Sequence, residues 1–219
     1  AYKVNTAFYE SLGAKGWVSM KKTVDYINNQ FPEIFTIADA KRGDIGNTSK
    51  MYAQSFFVEM NFDSVTINPY MGSDSVKPFL EFENKIAVLL GLTSNTGAND
   101  IQLKTTSNDN FIFMEMIKSS KEWGDKNNMM YVVGATKPGH IEKIRSLIPD
   151  HFLLMPGVGA QGGDLNEICK YAINDNIGII VNSSRSIIYA SNDETYASAA
   201  ADQAMVLQNK MKLILSERK

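Results

Sequence analysis

Charges of both signs crowd the stretch "DAKRGDIGNT", where Asp39, Lys41 and Asp44 fall within six positions, directly after the apolar run "IFTIA". Charged side chains at the end of a buried strand are costly unless they are paired or do chemistry. Side chains alternate along a strand, so Asp39 and Lys41 share a face while Ala40 points the other way. Asp44 follows three residues later, where strand gives way to loop. The expected arrangement is a lysine bracketed by two carboxylates, which keep it protonated and oriented. Such a lysine is a proton donor; a structural ion-pair network is the alternative reading. Lys3 ends an earlier strand-like run, "AYKV", at an equivalent position, and would extend the array into alternating Lys and Asp. The spacing assigns no role to Arg42.

A second cluster lies late in the chain. "LLMPGVGAQGGDL" contains G-x-G-x-x-G through Gly157, Gly159 and Gly162, after a strand-like run and before a helical pattern. A dinucleotide site would want an acidic ribose ligand at the end of the next strand, and "IGIIVN" ends in Asn182. A cradle of backbone N–H groups for a phosphate at a helix start fits the glycines better. Arg185, in "NSSRSII", stands just beyond the next strand, where a guanidinium can grip phosphate oxygens, and Gln161 can donate an amide hydrogen to the same group. A third loop at a strand end, "LLGLTSNTGANDIQ" at 89–102, is rich in Ser, Thr and Asn, which suit hydrogen bonding to a planar heterocycle and suit an ordinary turn equally. His140, His151 and Cys169 read as structural residues, and no Cys/His grouping has zinc spacing.

These residues need elements to position them. Short apolar, β-branched runs near 1–4, 34–38, 64–67, 86–90, 130–134, 152–155 and 178–182 predict strands. Helical patterns at 16–30, 47–60, 110–127, 138–147, 163–174 and 194–216 lie between them. This rhythm predicts successive βα units forming one α/β domain over residues 1–219, with a parallel sheet covered by helices. Phosphate sites in (β/α)₈ barrels commonly form from the loops after the last two strands, which favours a barrel. A barrel needs eight strands and seven are legible, so the expectation is a (β/α)₈ TIM barrel whose first βα unit is missing from this chain. A seven-stranded open, doubly wound sheet is the competing architecture.

Composition narrows the function class. The 219 residues are 44% hydrophobic, enough for one domain with a sizeable core, and the net charge of −2 is built from scattered residues. With no basic run longer than a pair, a nucleic-acid surface or polybasic membrane patch is not expected. A single cysteine and no basic-then-apolar leader point to a reducing, cytoplasmic setting.

In combination the motifs resemble the orotidine 5′-monophosphate decarboxylase family. "DAKRGDIGNT" is similar to that family's Asp-x-Lys-x-x-Asp signature, "PGVGAQGGD" to its phosphate loop, "NSSRSIIYA" to its final arginine motif, and "AYKVNTAFYE" to the strand carrying its first array lysine. The resemblance implies a barrel, normally a homodimer. It would decarboxylate orotidine 5′-monophosphate to uridine 5′-monophosphate in pyrimidine biosynthesis without a cofactor or metal. It implies Lys41 as the proton donor to C6 within an array of Lys3, Asp39 and Asp44, with Asp44 and Thr48 reaching the partner's site. Ser94 would contact the pyrimidine, while Gln161 and Arg185, with Gly159 and Gly162, would bind the phosphate. The family's first strand, with its ribose-binding aspartate, has no counterpart here. The alternatives are a Mg²⁺-dependent sugar-phosphate enzyme of the same superfamily and an inactive, truncated phosphate-binding barrel.

Overall fold

Every strand runs parallel to its neighbours. The computed structural model describes residues 1–135, 138–158 and 163–218. Its strands are β1 (Tyr2–Asn5), β2 (Thr36–Arg42), β3 (Ser64–Ile67), β4 (Ile86–Leu92), β5 (Met129–Val133), β6 (Leu153–Pro156) and β7 (Ile179–Asn182), paired in that order in one sheet. The helices are α1 (Ala7–Glu10), α2 (Ala14–Gln30), α3 (Gly46–Gln54), α4 (Ser73–Leu80), α5 (Ile112–Ser120), α6 (Pro138–Leu147), α7 (Leu165–Ala172), α8 (Arg185–Ile188) and α9 (Tyr196–Ser216). α3 continues into a π-helical turn, Ser55–Glu59. Parallel strands joined by helical crossovers are buried on both faces, and all of β3 and β5 is buried accordingly.

The two faces hold two cores. Ile37, Val88, Met130, Val132 and Leu154 pack together inside the curl of the sheet, with Leu90 and Ile180 beside them. The alternate residues, among them Ala38, Val65, Leu89, Tyr131 and Met155, pack outward against the helices. The curl is nearly a full turn. Lys3 of β1, Asp39 of β2, Leu90 of β4, Val132 of β5 and Leu154 of β6 line one cavity. The expected barrel architecture therefore stands, rather than an open doubly wound sheet. β1 and β7 are its unpaired edges, and a cavity of about 490 Å³ between them is lined by Tyr2, Val181, Asn182 and Met211. Beside this gap α9 fully buries none of its residues.

Strand positions follow the apolar runs to within two residues, except that β2 continues to Arg42. α6 begins and ends as the pattern predicts. α4 is absent from the sequence expectation because Pro78 lies inside it, and an interior proline reads as a helix breaker. At the bottom of the sheet, buried Arg145 fastens the α6–β6 and α7–β7 connections. Its guanidinium donates to the carbonyls of Ala172, Ile148, Pro149, His151 and Gly178. Burial pulls its pKa down to about 10, partly offset by Asp150, so it keeps its charge at neutral pH. That anchoring leaves the opposite rim, where all seven strands end, to the loops that carry the charged motifs.

Candidate active site

Asp39 is the hub of the array. One carboxylate oxygen, Oδ2, accepts from Lys3 Nζ at 2.6 Å, and the other, Oδ1, accepts from Lys41 Nζ. The sequence led us to expect a lysine between two carboxylates; within the chain the arrangement is a carboxylate between two lysines. Asp44 turns its Oδ1 to the Ile45 N–H at 2.7 Å and forms no ion pair among the described residues. The reason is local: Gly43 and Asp44 already belong to the loop between β2 and α3, and the carboxylate folds onto the backbone of the next residue.

Lys41 and Asp39 face the same way, but not by simple strand alternation. The five residues of β2 from Ala38 to Arg42 face only three of β3, Val65 to Ile67, so residues 39–41 bulge from the ladder. Lys41 adopts φ +48°, a left-handed backbone that costs a side-chain-bearing residue of order 1–3 kcal/mol. Its N–H, deprived of a ladder partner, donates to Thr66 Oγ1 at 2.9 Å. Arg42 closes the bulge from outside. It bonds the Ala40 carbonyl, pairs with Glu10 of α1, and lies over the rings of Tyr52 and Phe56 at 5.4 and 5.2 Å.

The array forms one wall of a cavity of about 430 Å³. Leu90, Val132, Leu154 and Pro156 supply an apolar floor, and Thr93, Ser94 and Asn95 rise from the end of β4 opposite the lysines. Gly134 lets that loop approach: a Cβ there would lie 2.8 Å from the Ser94 nitrogen. Gln102, which also lines the cavity, pins the loop, its Oε1 accepting the Thr93 N–H and its Nε2 donating to Thr93 Oγ1, each at 2.8 Å. A flat apolar floor with hydrogen-bonding groups on one side and fixed ammonium groups on the other suits a planar, polar, anionic ligand.

Of the remaining expected site residues, Arg185 and Thr48 are described. Arg185 is the exposed first residue of α8, just beyond β7. Thr48 is exposed on α3 and does not line the cavity. Gly159, Gln161 and Gly162 lie outside the described residues. The base of their loop is closed by a Gly163 N–H to Gly157 carbonyl bond of 3.2 Å. Two participants escaped the sequence reading. Thr66, in "SVTI", has the signature of any strand-forming residue, and Gln102 stands nine residues beyond the Thr93 that it fastens, with nothing in its spacing to single it out.

Burial by itself would raise the Asp39 carboxyl, but the Lys3 ammonium and then Lys41 outweigh it and hold the group below the usual carboxylate value. A depressed native pKa contributes stability that is fully present above about pH 4 and is lost as pH falls through the native value. Asp39→Asn leaves Lys3 nearly buried without its counter-charge and should cost about 3 kcal/mol at pH 7. In urea titrations from pH 3 to 8, the gap to the unaltered chain should be constant above pH 5 and close toward pH 3. A gap that widens in acid would contradict the assignment.

The comparisons with known proteins agree with this geometry. Residues 1–200 match the family described as Orotidine 5'-phosphate decarboxylase / HUMPS family. The orotidine 5'-phosphate decarboxylase of Flavobacterium johnsoniae is 55% identical over 99% of this chain and 79% of its own length. That of Bacteroides fragilis is 56% identical over 96% and 77%. Among solved structures, Leishmania donovani OMP decarboxylase superposes with a TM-score of 0.81 at 33% identity, over 92% of this chain and 77% of that one. The UMP synthase of the same organism gives 0.83 at 35%, over 94% of this chain and 45% of that longer one. With the parallel βα barrel and a Lys/Asp array at its strand ends, the chain belongs to the orotidine 5'-phosphate decarboxylase / HUMPS family.

Proposed function

We propose that this chain decarboxylates orotidine 5′-monophosphate to uridine 5′-monophosphate in pyrimidine biosynthesis, with Lys41 as the proton donor. The observation that carries the reading is the Lys3–Asp39–Lys41 chain of charge facing an apolar floor in a cavity at the strand ends. When the bond between C6 and the carboxylate breaks, CO₂ departs and the electron pair stays on C6. No electron sink in the pyrimidine ring accepts it easily, so fixed protein charge must stabilise it. Lys41 faces that carbanion and gives it an Nζ proton; the neutral amine regains one from water. Asp39 keeps both ammonium groups at the reacting centre and remains ionised throughout.

Ser94, at the end of β4, takes the pyrimidine's polar edge. Arg185 binds the phosphate with Gln161 and the glycines around it. The phosphate is remote from the broken bond, but gripping it holds the ring against the array, so binding energy is spent on the chemical step. A Mg²⁺-dependent sugar-phosphate reaction fits less well, because both Asp39 oxygens already accept from lysines that a metal would have to displace.

The second copy enters through Asp44 and Thr48. Neither contributes to this chain's own cavity, although they flank its rim. Around them Ile45, Met51, Tyr70, Met71 and Ile101 are each about half exposed or more. Grouped apolar side chains of this kind mark an association surface. The reading is a homodimer in which Asp44 and Thr48 complete the partner's site, in a protein of the cytoplasm that uses no cofactor. No helix among the described residues is long and apolar enough to cross a membrane.

Three experiments test these assignments. In deuterium oxide, orotidine monophosphate should yield uridine monophosphate carrying deuterium at C6. Arg185→Ala should lower kcat/KM by the equivalent of roughly 2–5 kcal/mol; a change under about threefold would remove Arg185 from the phosphate site. Mixing inactive Lys41→Ala and Asp44→Ala chains should restore about a quarter of full activity, as expected when one of two shared sites is intact in half of the dimers. No recovery on mixing would place Asp44 in its own subunit's site, and an active Asp44→Ala chain would remove it from the site.

A further inference from the structure

The bulge in β2 raises the question of what aims Lys41. Its side chain is about half exposed, and a lysine has four rotatable bonds with which to wander. Its backbone is left-handed at φ +48°, a conformation that survives only when the surroundings over-determine it. Those surroundings converge on one buried hydroxyl. Thr66 is 1% exposed, and its Oγ1 accepts the Lys41 N–H at 2.9 Å. The same oxygen lies 3.1 Å from Asp39 Oδ1 and 3.5 Å from the Ala38 carbonyl. A threonine has one proton to donate, and the shorter, charged acceptor takes it. Asp39 Oδ1 is in turn the atom that holds Lys41 Nζ.

The bonds form a closed circuit that begins and ends on Lys41: backbone N–H to Thr66 hydroxyl, hydroxyl to Asp39 carboxylate, carboxylate to the Lys41 ammonium. We propose that Thr66 is the positioning residue of the array, tying the Lys41 backbone and the Asp39 carboxylate to one point so that the ammonium is aimed at the reacting carbon. This rests on the decarboxylase reading for the reaction, though not for the circuit itself. Thr66 is buried and does not line the cavity, so it acts through Lys41 and Asp39. A valine at this place would fill the same space, so packing alone does not account for a hydroxyl here.

The test compares Thr66→Val, which keeps the shape and removes the hydroxyl, with Thr66→Ser, which keeps the hydroxyl. Thr66→Ala, also without the hydroxyl, must behave as the valine variant does. The first readout is the carbon-13 titration of the Asp39 carboxyl, whose charged neighbours among the described residues are Lys3 of β1 and Lys41 of β2. Losing a hydrogen bond to the charged form should raise its midpoint in the valine variant and leave the serine variant at the original value. The second readout is turnover of orotidine monophosphate. Thr66→Val should lower kcat about 10- to 100-fold, as misplaced catalytic groups do, with KM within about threefold. Thr66→Ser should restore kcat to within about threefold.

An unmoved Asp39 midpoint in Thr66→Val, or a serine variant as impaired as the valine one, would overturn the assignment. Should the unaltered chain fail to turn over orotidine monophosphate, the substrate reading falls, and the Asp39 titration still decides the role of Thr66.

Discussion

A single carboxylate shared by two ammonium groups is the constraint around which the rim of this barrel is organised. Asp39 is nearly buried, and a lone carboxylate there would be driven toward its neutral form. Lys3 from the neighbouring strand and Lys41 from its own strand reverse that preference. The charges depend on the shared carboxylate: removing Asp39 leaves both lysines without a partner at the edge of an apolar interior, and removing either lysine leaves one carboxylate oxygen without its ammonium. Such mutual dependence fixes geometry more than it adds stability.

The surrounding fold makes that geometry reachable. Register between β1 and β2 sets Asn5 beside Asp39, which brings Lys3, two residues earlier, onto the inward face near it. The bulge in β2 then turns Lys41 back toward its own carboxylate, at the expense of a left-handed residue and a broken ladder. Arg42 holds the outer side of the bulge against Glu10, Tyr52 and Phe56, and Thr66 holds the inner side. Beneath, the closely packed interior of Ile37, Val88, Val132 and Leu154 gives the site a floor that does not yield. Strain at the site is thus carried by neighbours on four different elements.

Much of this was legible in the residues. Apolar runs located all seven strands, because parallel strands buried on both faces have little choice of composition. The charged cluster at 39–44 and Arg185 fall where β2 and β7 end, as the strand-like runs before them indicated. What stayed hidden depends on conformation rather than composition. Alternation placed Asp39 and Lys41 together, yet it could not reveal that a bulge brings them together, nor that Asp44 turns away. Pro78 concealed a helix that tolerates it. Thr66 looked like any β-branched strand residue, and the task of Arg42 became visible only once α1, α3 and the π-turn were seen to meet at it. Motif spacing reports which groups are available; their hydrogen-bond partners emerge only from the folded register.

The account depends on Lys41 delivering a proton without help from a metal. Initial rates of orotidine monophosphate loss in excess EDTA, compared for this chain and its Lys41→Ala variant, test that most directly. The chain should turn over undiminished by the chelator, and the variant should be slower by roughly 10²- to 10⁴-fold, the usual worth of a positioned proton donor. Equal rates for the two, or activity abolished by EDTA, would contradict it.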